Sequence, residues 1–299
     1  MQEAKKELDK IEKLLFEEGY IADPMTTMAL HLSKTFKKPL LIEGPAGVGK
    51  TEIAKVMASA LDTQLIRLQC YEGLDSRHAL YEWNYQKQLL HLKMDEHSHR
   101  SLNEKEQMIF SEAFLLKRPL LQAITSDQSP VLLIDEVDRA DEEFESFLLE
   151  ILSDWQITIP EFGTIKAQHI PYVILTSNRM RELSDALRRR CFYLWIDYPD
   201  FEKELQIVLK KVDGINEKLA HQICAFMQEL RKMRLQKIPG IAETLDWATA
   251  LVNLHLNHLD KDLVGSTLGI VLKDWQDVRQ TQLSLTELFK AVGVEIKLN

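Results

Sequence analysis

Short apolar runs alternate with stretches of three-and-four spacing over the first two thirds of the chain. "PLLIEG", "QLIRLQ", "VLLIDE", "YVILTSN" and "CFYLWI" read as buried strands, and their alternation with helical periodicity predicts a parallel α/β sheet. Four of the five runs end in, or are followed by, polar or glycine-rich residues, and ligands of open α/β sheets bind at such strand ends. Beyond "DYPDFEKEL" the pattern changes: residues 200–211, 216–235, 242–257 and 282–291 carry helical spacing with few strand-like runs. The pattern predicts an α/β core over 1–198 and a small all-helical domain over 199–299, parted at the proline-containing turn of Tyr198 and Pro199.

Two segments break the alternation. Residues 71–93, "YEGLDSRHALYEWNYQKQLLHLK", are rich in aromatics and follow the second strand, while 154–167, "DWQITIPEFGTIKA", reads as a hairpin turning around Pro160 to Gly163. Both are expected to project from the sheet. Tyr81, Trp83 and Tyr85 stand at alternate positions, which suits either contact with a partner or the local packing that anchors a hairpin.

Length and composition narrow the function classes. A chain of 299 residues, 45% hydrophobic and 28% charged, is long enough for two modest cores. Its 46 acidic against 37 basic side chains give a net charge of −9, which repels polyphosphate backbones and counts against nucleic acid as a partner. Cys70, Cys191 and Cys224 are far apart, in no C-x-x-C spacing, and read as reduced structural thiols. No run approaches a membrane span and the first twenty residues lack the apolar core of a signal peptide, so a soluble cytoplasmic protein is expected.

The chemistry concentrates after the strands. "GPAGVGKT" fits G-x-x-x-x-G-K-[ST] from Gly44 to Thr51, after one strand and before the helix-like "EIAKVMASAL". In this pattern Gly44, Pro45, Ala46, Gly47, Val48, Gly49, Lys50, Thr51 and Glu52 form the nucleotide loop. Its glycines let several N–H groups converge on phosphate oxygens, and the helix start adds its positive end. Lys50 is expected to reach the β and γ phosphates of ATP, and Thr51 to ligate Mg2+. In "VLLIDE", Asp135 suits the magnesium site, and Glu136 is placed to polarise a water attacking the γ-phosphate. Asn178, at the tip of "VILTSN", holds the same water or the γ-phosphate, or serves as a turn residue.

"SDALRRRC" adds three consecutive arginines, Arg188, Arg189 and Arg190, to an acidic chain. A guanidinium on the transferring phosphoryl group is worth about 10³ to 10⁵ in rate. The cluster is expected on a flank of the sheet away from its own nucleotide loop, so that it would reach a phosphate only across a subunit boundary. The alternative is a solvated or salt-bridged helix end. Arg139, just past the acidic strand, either meets a neighbour's nucleotide or pairs with Asp138 or Asp141.

Gly44 to Thr51, Asp135 and Glu136, Asn178 and "ALRRRC", followed by a helical domain, resemble the AAA+ ATPases of the MoxR family. More narrowly, "LQCYEGLD", "YEWNYQKQLL", "IDEVDRADEEFESFLLEILSDWQITIPEFGTI" and "PGIAETLDWATAL" are similar to its CoxD-like branch, associated with maturation of molybdenum-containing carbon monoxide dehydrogenase and related hydroxylases. The resemblance implies an AAA+ P-loop core with a helical lid and a homo-oligomeric ring, usually a hexamer. It implies ATP between subunits, an arginine finger acting in trans with Arg190 the best match and Arg189 the second, and a von Willebrand A domain partner. It further implies that 71–93 is a helix-2 insertion and 154–167 a pore-side hairpin, both contacting clients. One departure stands out: many relatives carry a lid arginine near the position of Thr244, and "PGIAETLDW" has none.

Two smaller expectations follow from the same reading. Gln69, at the end of the second strand, either holds Glu136 off the water or makes an ordinary strand-end hydrogen bond. His91, His97 and His99, beside Asp95 and Glu96, read as a solvated loop rather than a metal site because their spacing is irregular. The expected function is Mg-ATP hydrolysis that remodels a metalloenzyme client. An ATP-dependent assembly switch with negligible turnover and a DNA-acting loader are the alternatives, and small-molecule kinase activity is disfavoured by the lid.

Overall fold

The computed structural model describes residues 2–95 and 100–293. In chain order the elements begin with α1 (Gln2–Glu17), α2 (Pro24–Phe36), β1 (Leu40–Glu43), α3 (Lys50–Ala60) and β2 (Leu65–Gln69). Then come α4 (Ser76–Ala79), β3 (Tyr81–Trp83), α5 (Tyr85–Met94), α6 (Leu102–Ile109), β4 (Leu115–Lys117) and α7 (Pro119–Ile124). Next are β5 (Val131–Asp135), α8 (Glu142–Asp154), β6 (Gln156–Ile159), β7 (Gly163–Lys166), β8 (Tyr172–Ser177), α9 (Asp185–Arg190) and β9 (Phe192–Trp195). The chain finishes with α10 (Phe201–Lys211), α11 (Glu217–Arg231), α12 (Ile241–Asn253), α13 (Lys261–Val271) and α14 (Trp275–Val292).

Contacts divide the chain into two compact units. The first comprises Pro24–Glu43 and Ala54–Leu194 with the start of α1; the second comprises Asp9–Asp23, Gly44–Ile53 and the chain from Trp195 onward. The nucleotide loop therefore packs with the helical unit, although it is covalently continuous with the first strand of the sheet. Its sequence motif alone does not reveal which unit it joins.

In the first unit, the five apolar runs all form strands of one sheet, in the order β2-β5-β8-β1-β9. The pairs β2–β5, β5–β8 and β1–β8 are parallel. Register places Gln69 opposite Asp135 and Glu43 opposite Ser177, so these chain-terminal strand residues share one edge. Leu132, Ile134, Val173 and Leu175 are buried against Leu120, Leu121 and Leu148 of α7 and α8, which fixes the sheet and hence that edge.

The projecting segments are organised as two small ribbons. β6 and β7 pair antiparallel with Ile159 opposite Gly163, the expected hairpin. The aromatic segment is longer than expected: β3 pairs with β4, closing an excursion that also holds α5 and α6. β4 has only three residues, too few to show a period of two. Trp83 is buried and packs edge-on against Phe110 and Tyr81, whereas Tyr85 is exposed.

In the second unit, Trp247, Phe226 and Phe289 centre a core shared by α11, α12 and α14. α13 was not anticipated in the sequence, and α14 starts earlier than expected. Gly265 and Gly269 dilute the helical signal of α13, but Asp260 caps its first turn, accepting N–H bonds from Asp262 and Leu263. A Cβ at Gly265 would sit 3.4 Å from the Leu285 side chain, an ordinary contact, so packing does not demand a glycine there.

Candidate nucleotide site

The loop Gly44 to Gly49 bends where glycine is required. A Cβ at Gly44 would lie 1.9 Å from the Ile196 carbonyl oxygen, which excludes any larger residue. Gly47 has φ of +76°, and its carbonyl accepts an N–H bond from Ala242 at the start of α12. Glu243 accepts the Gly240 N–H at 2.8 Å and holds this contact in place. Val48 is buried.

Lys50, the first residue of α3, is 7% exposed, and its ammonium donates to the Gly44 and Pro45 carbonyls at 2.8 and 2.6 Å. A buried ammonium ringed by loop carbonyls is held ready to exchange those partners for phosphate oxygens. Thr51 follows in the first turn of α3. Glu52 pairs with Lys211 of α10 at 2.8 Å, so its carboxylate is engaged within the helical unit.

At the sheet edge, Asp135 is almost fully buried and accepts the Thr176 hydroxyl at 2.5 Å. The same hydroxyl accepts the Glu136 N–H at 2.9 Å, so one threonine on β8 ties both carboxylate residues down. Glu136 has left-handed backbone, φ 53°, which turns the chain sharply out of β5. Asp138 accepts the N–H groups of Asn178 and Met180, at 3.1 and 2.8 Å, and thereby holds the turn after β8. Asp135, Glu136 and Asn178 are thus brought together by Thr176 and Asp138.

Two arginines occupy the carboxylates. Arg67 of β2 donates to Asp135 from Nε at 3.1 Å and from Nη2 at 2.5 Å, and Arg139 pairs with Glu136 at 2.8 Å. Both expected partners of Arg139, Asp138 and Asp141, are replaced: Asp138 is committed to the Asn178 turn, and Asp141 caps α8. Gln69 does not reach Glu136; it accepts from Arg67 at 2.6 Å, the ordinary strand-end bond. Cys70 lies beside this edge, and burial, with Asp135, Asp138 and Glu136 adding to it, pushes its thiol up to about 12.

The three arginines of α9 diverge. Arg190 donates from Nε to Ser153 of α8 at 2.7 Å and from Nη1 to the Ala186 carbonyl at 3.2 Å, and Arg189 is exposed. Arg188 instead lies 3.6 Å from Glu43, the buried residue that ends β1. Placing all three away from the loop is therefore corrected for Arg188, whose length brings it to the residue preceding Gly44.

Thr244 is fully buried, donating to Glu204 at 2.7 Å. Glu204 is also held by Arg231 of α11 at 2.6 and 2.7 Å, and Arg231 donates to the Pro239 carbonyl at 2.8 Å. An arginine from another helix thus braces the segment that touches Gly47, a role the sequence did not disclose. His91 stacks edge-on to Phe114, while His97 and His99 lie outside the described residues. No metal-binding cluster occurs among the described residues, and no described helix is long and apolar enough to cross a membrane.

The donors suit Mg-ATP chemically. Amides, a helix start and an ammonium suit phosphates, and the Thr51 hydroxyl and Asp135 carboxylate are hard oxygen ligands of the kind magnesium takes. Comparison with known proteins gives the family. The model of the AAA domain, dynein-related subfamily, matches residues 39–191, just over half of the chain. An uncharacterized protein of Staphylococcus haemolyticus is 27% identical over 224 residues, covering 73% of this chain and 76% of that protein. One from Staphylococcus aureus strain bovine RF122 is 27% identical over 206 residues, covering 67% and 70%. Among solved structures, the Thermotoga maritima Holliday junction branch migration motor RuvB covers 96% of this chain and 82% of its own, with 19% identity and a TM-score of 0.46. The chain belongs to the dynein-related subfamily of AAA domains and is an ATPase.

Proposed function

We propose that this ATPase hydrolyses Mg-ATP in a homo-oligomeric ring, a hexamer, and uses the cycle to remodel a protein client. The observation that carries hydrolysis over mere binding is the pair Asp135 and Glu136, both tied to Thr176 at one strand end. Lys50 binds the β and γ phosphates, giving up its loop carbonyls. Thr51 and Asp135 would hold magnesium, which would neutralise phosphate charge. Glu136 accepts the proton of the attacking water, Asn178 orients that water, and Arg190 of a neighbouring subunit, with Arg189 beside it, stabilises the charge developing on the γ-phosphate.

The MoxR and CoxD-like resemblance supports the client class: a molybdenum-containing oxidoreductase such as carbon monoxide dehydrogenase, during metal-cofactor maturation in the cytoplasm, with a von Willebrand A domain partner. We assign the core to 1–198 and the lid to 199–299 on the same resemblance. The insertion and the hairpin offer the client surface, and Leu89, Leu90 and Met94 of α5 are exposed.

Phosphate release per subunit, measured over a wide protein concentration range against Lys50→Ala, tests the reading. Specific activity climbing to a plateau, and lost in Arg190→Ala, supports the shared site; activity retained in Arg190→Ala removes the finger. The second reading, an ATP-dependent assembly switch, is favoured by Arg67 and Arg139 occupying both carboxylates. Background turnover at every concentration, with ATP still bound, would select it.

A further inference from the structure

Asp135 meets Arg67 with one carboxylate oxygen and Thr176 with the other. Oδ2 accepts the Arg67 Nε at 3.1 Å and Nη2 at 2.5 Å, so the guanidinium fork takes both acceptor directions of that oxygen. Oδ1 accepts the Thr176 hydroxyl at 2.5 Å, and the Glu136 N–H donates to that hydroxyl at 2.9 Å, which pins the carboxylate from β8. The Asp135 side chain is 4% exposed, whereas that of Arg67 is 49% exposed. A buried carboxylate that loses its cation is costly unless another takes the place, while a half-exposed guanidinium returns to water at little cost. The pair is therefore built for the cation to change and the carboxylate to stay.

Gln69 supplies the other half of the arrangement. Arg67 and Gln69 stand two apart on β2, on its exposed face, and register sets Gln69 opposite Asp135. The Gln69 Oε1 accepts from the same Nη2 at 2.6 Å, so the fork already touches a neutral holding point beside the carboxylate. We propose that Arg67 is the resident cation of Asp135 and exchanges with magnesium: the fork caps Oδ2 until Thr51 and Asp135 take up the ion, and then moves back onto Gln69 and toward solvent. The inference rests on the assignment of Thr51 and Asp135 to magnesium in the hydrolytic reading. It adds a competitor within the chain that sets how much the metal contributes to nucleotide binding.

Two readouts on the full chain test it, both with a non-hydrolysable fluorescent ATP analogue so that neither depends on turnover. The ratio of nucleotide affinity at saturating Mg2+ to that in EDTA measures what the metal adds. Arg67→Ala should raise this ratio about two- to tenfold, because no guanidinium has to be displaced. Arg67→Lys keeps the charge without the fork and should raise it nearly as much. An unchanged or lowered ratio in Arg67→Ala overturns the inference, as does parental behaviour in Arg67→Lys, which would leave only a long-range effect of charge. The second readout needs no variant: phenylglyoxal labelling of Arg67, followed by peptide mass spectrometry, with the analogue saturating in both arms. Labelling should be faster with Mg2+ than with EDTA, and equal or slower labelling overturns the exchange. ATP hydrolysis is read in parallel. Exchange at Arg67 with no turnover indicts the hydrolytic reading alone, and normal turnover with a fixed Arg67 indicts this inference alone.

Discussion

Asp138 holds Asn178 through the backbone: one carboxylate oxygen accepts the Asn178 N–H at 3.1 Å and the Met180 N–H at 2.8 Å. The carboxylate is buried, so these bonds to a charged acceptor fix the turn that presents the Asn178 amide. Hydrogen bonds to charged groups contribute about 1.5–3 kcal/mol each. Asp138→Ala is therefore expected to lower kcat about ten- to hundredfold while KM for ATP stays within about twofold. Asp138→Asn keeps an acceptor and should fall between. Steady-state phosphate release with separate nucleotide titration checks the split; a change confined to KM would remove Asp138 from the hydrolytic machinery.

Glu136 and Arg139 define a second test. On the proposed reading Glu136 accepts the proton of the attacking water, and Arg139, 2.8 Å from its carboxylate, competes for the same oxygen. Glu136→Gln should cost at least about 10² in turnover and leave ATP binding intact. Arg139→Ala should raise basal turnover about two- to fivefold, the scale of a partly exposed pair. A fall instead would mean that Arg139 serves a nucleotide directly, in trans.

How much of this was legible in sequence depended on whether the signal was local. The strands, the nucleotide loop and the Asp135–Glu136 pair stand out because each is a contiguous run whose composition and order carry the chemistry. The hairpin at 156–166 was legible for the same reason. Asp138, Thr176 and Arg67 were not, because their roles arise only when β5, β8 and β2 become neighbours in the order β2-β5-β8-β1-β9. Arg188 was misplaced because sequence position locates a backbone, whereas a guanidinium on a long side chain reached Glu43 at the end of β1.

The cysteines make a pH prediction. Burial pushes the thiols of Cys70 and Cys191 up to about 12 from an ordinary value of 9.0. For Cys70 the Asp135, Asp138 and Glu136 charges add to burial, whereas for Cys191 Lys38 works against it. Each thiol stays protonated in the folded chain after it would ionise in the unfolded one. The unfolded state then binds fewer protons, so stability is full below pH 9 and falls as pH rises toward 12. The slope is about 1.4 kcal/mol per pH unit for each thiol. Urea midpoints measured from pH 7 to about 10.5 should decline above about 9, less steeply in Cys191→Ala. Rapid labelling of the folded chain at pH about 8 by a thiol reagent would contradict the burial of these groups.

Arg231 and Glu204 separate the stability of the helical unit from the shape of the nucleotide loop. Glu204 is fully buried and held by Arg231, Thr244 and Gln228. Arg231→Met leaves a carboxylate buried without its cation, a loss of about 3–5 kcal/mol. Glu204→Met alongside it removes the charge as well and should restore much of that stability, because buried pairs offset little against a well-packed apolar replacement. The bond from Arg231 to the Pro239 carbonyl is not restored by the second change, and that bond braces the segment reaching Gly47 through Gly240 and Ala242. The double variant is therefore expected to denature near the parent's urea midpoint yet bind ATP about tenfold more weakly, the scale of one charge-assisted hydrogen bond. Parental nucleotide affinity in a stable double variant would make the pair a packing feature of the helical unit, with no part in shaping the nucleotide loop.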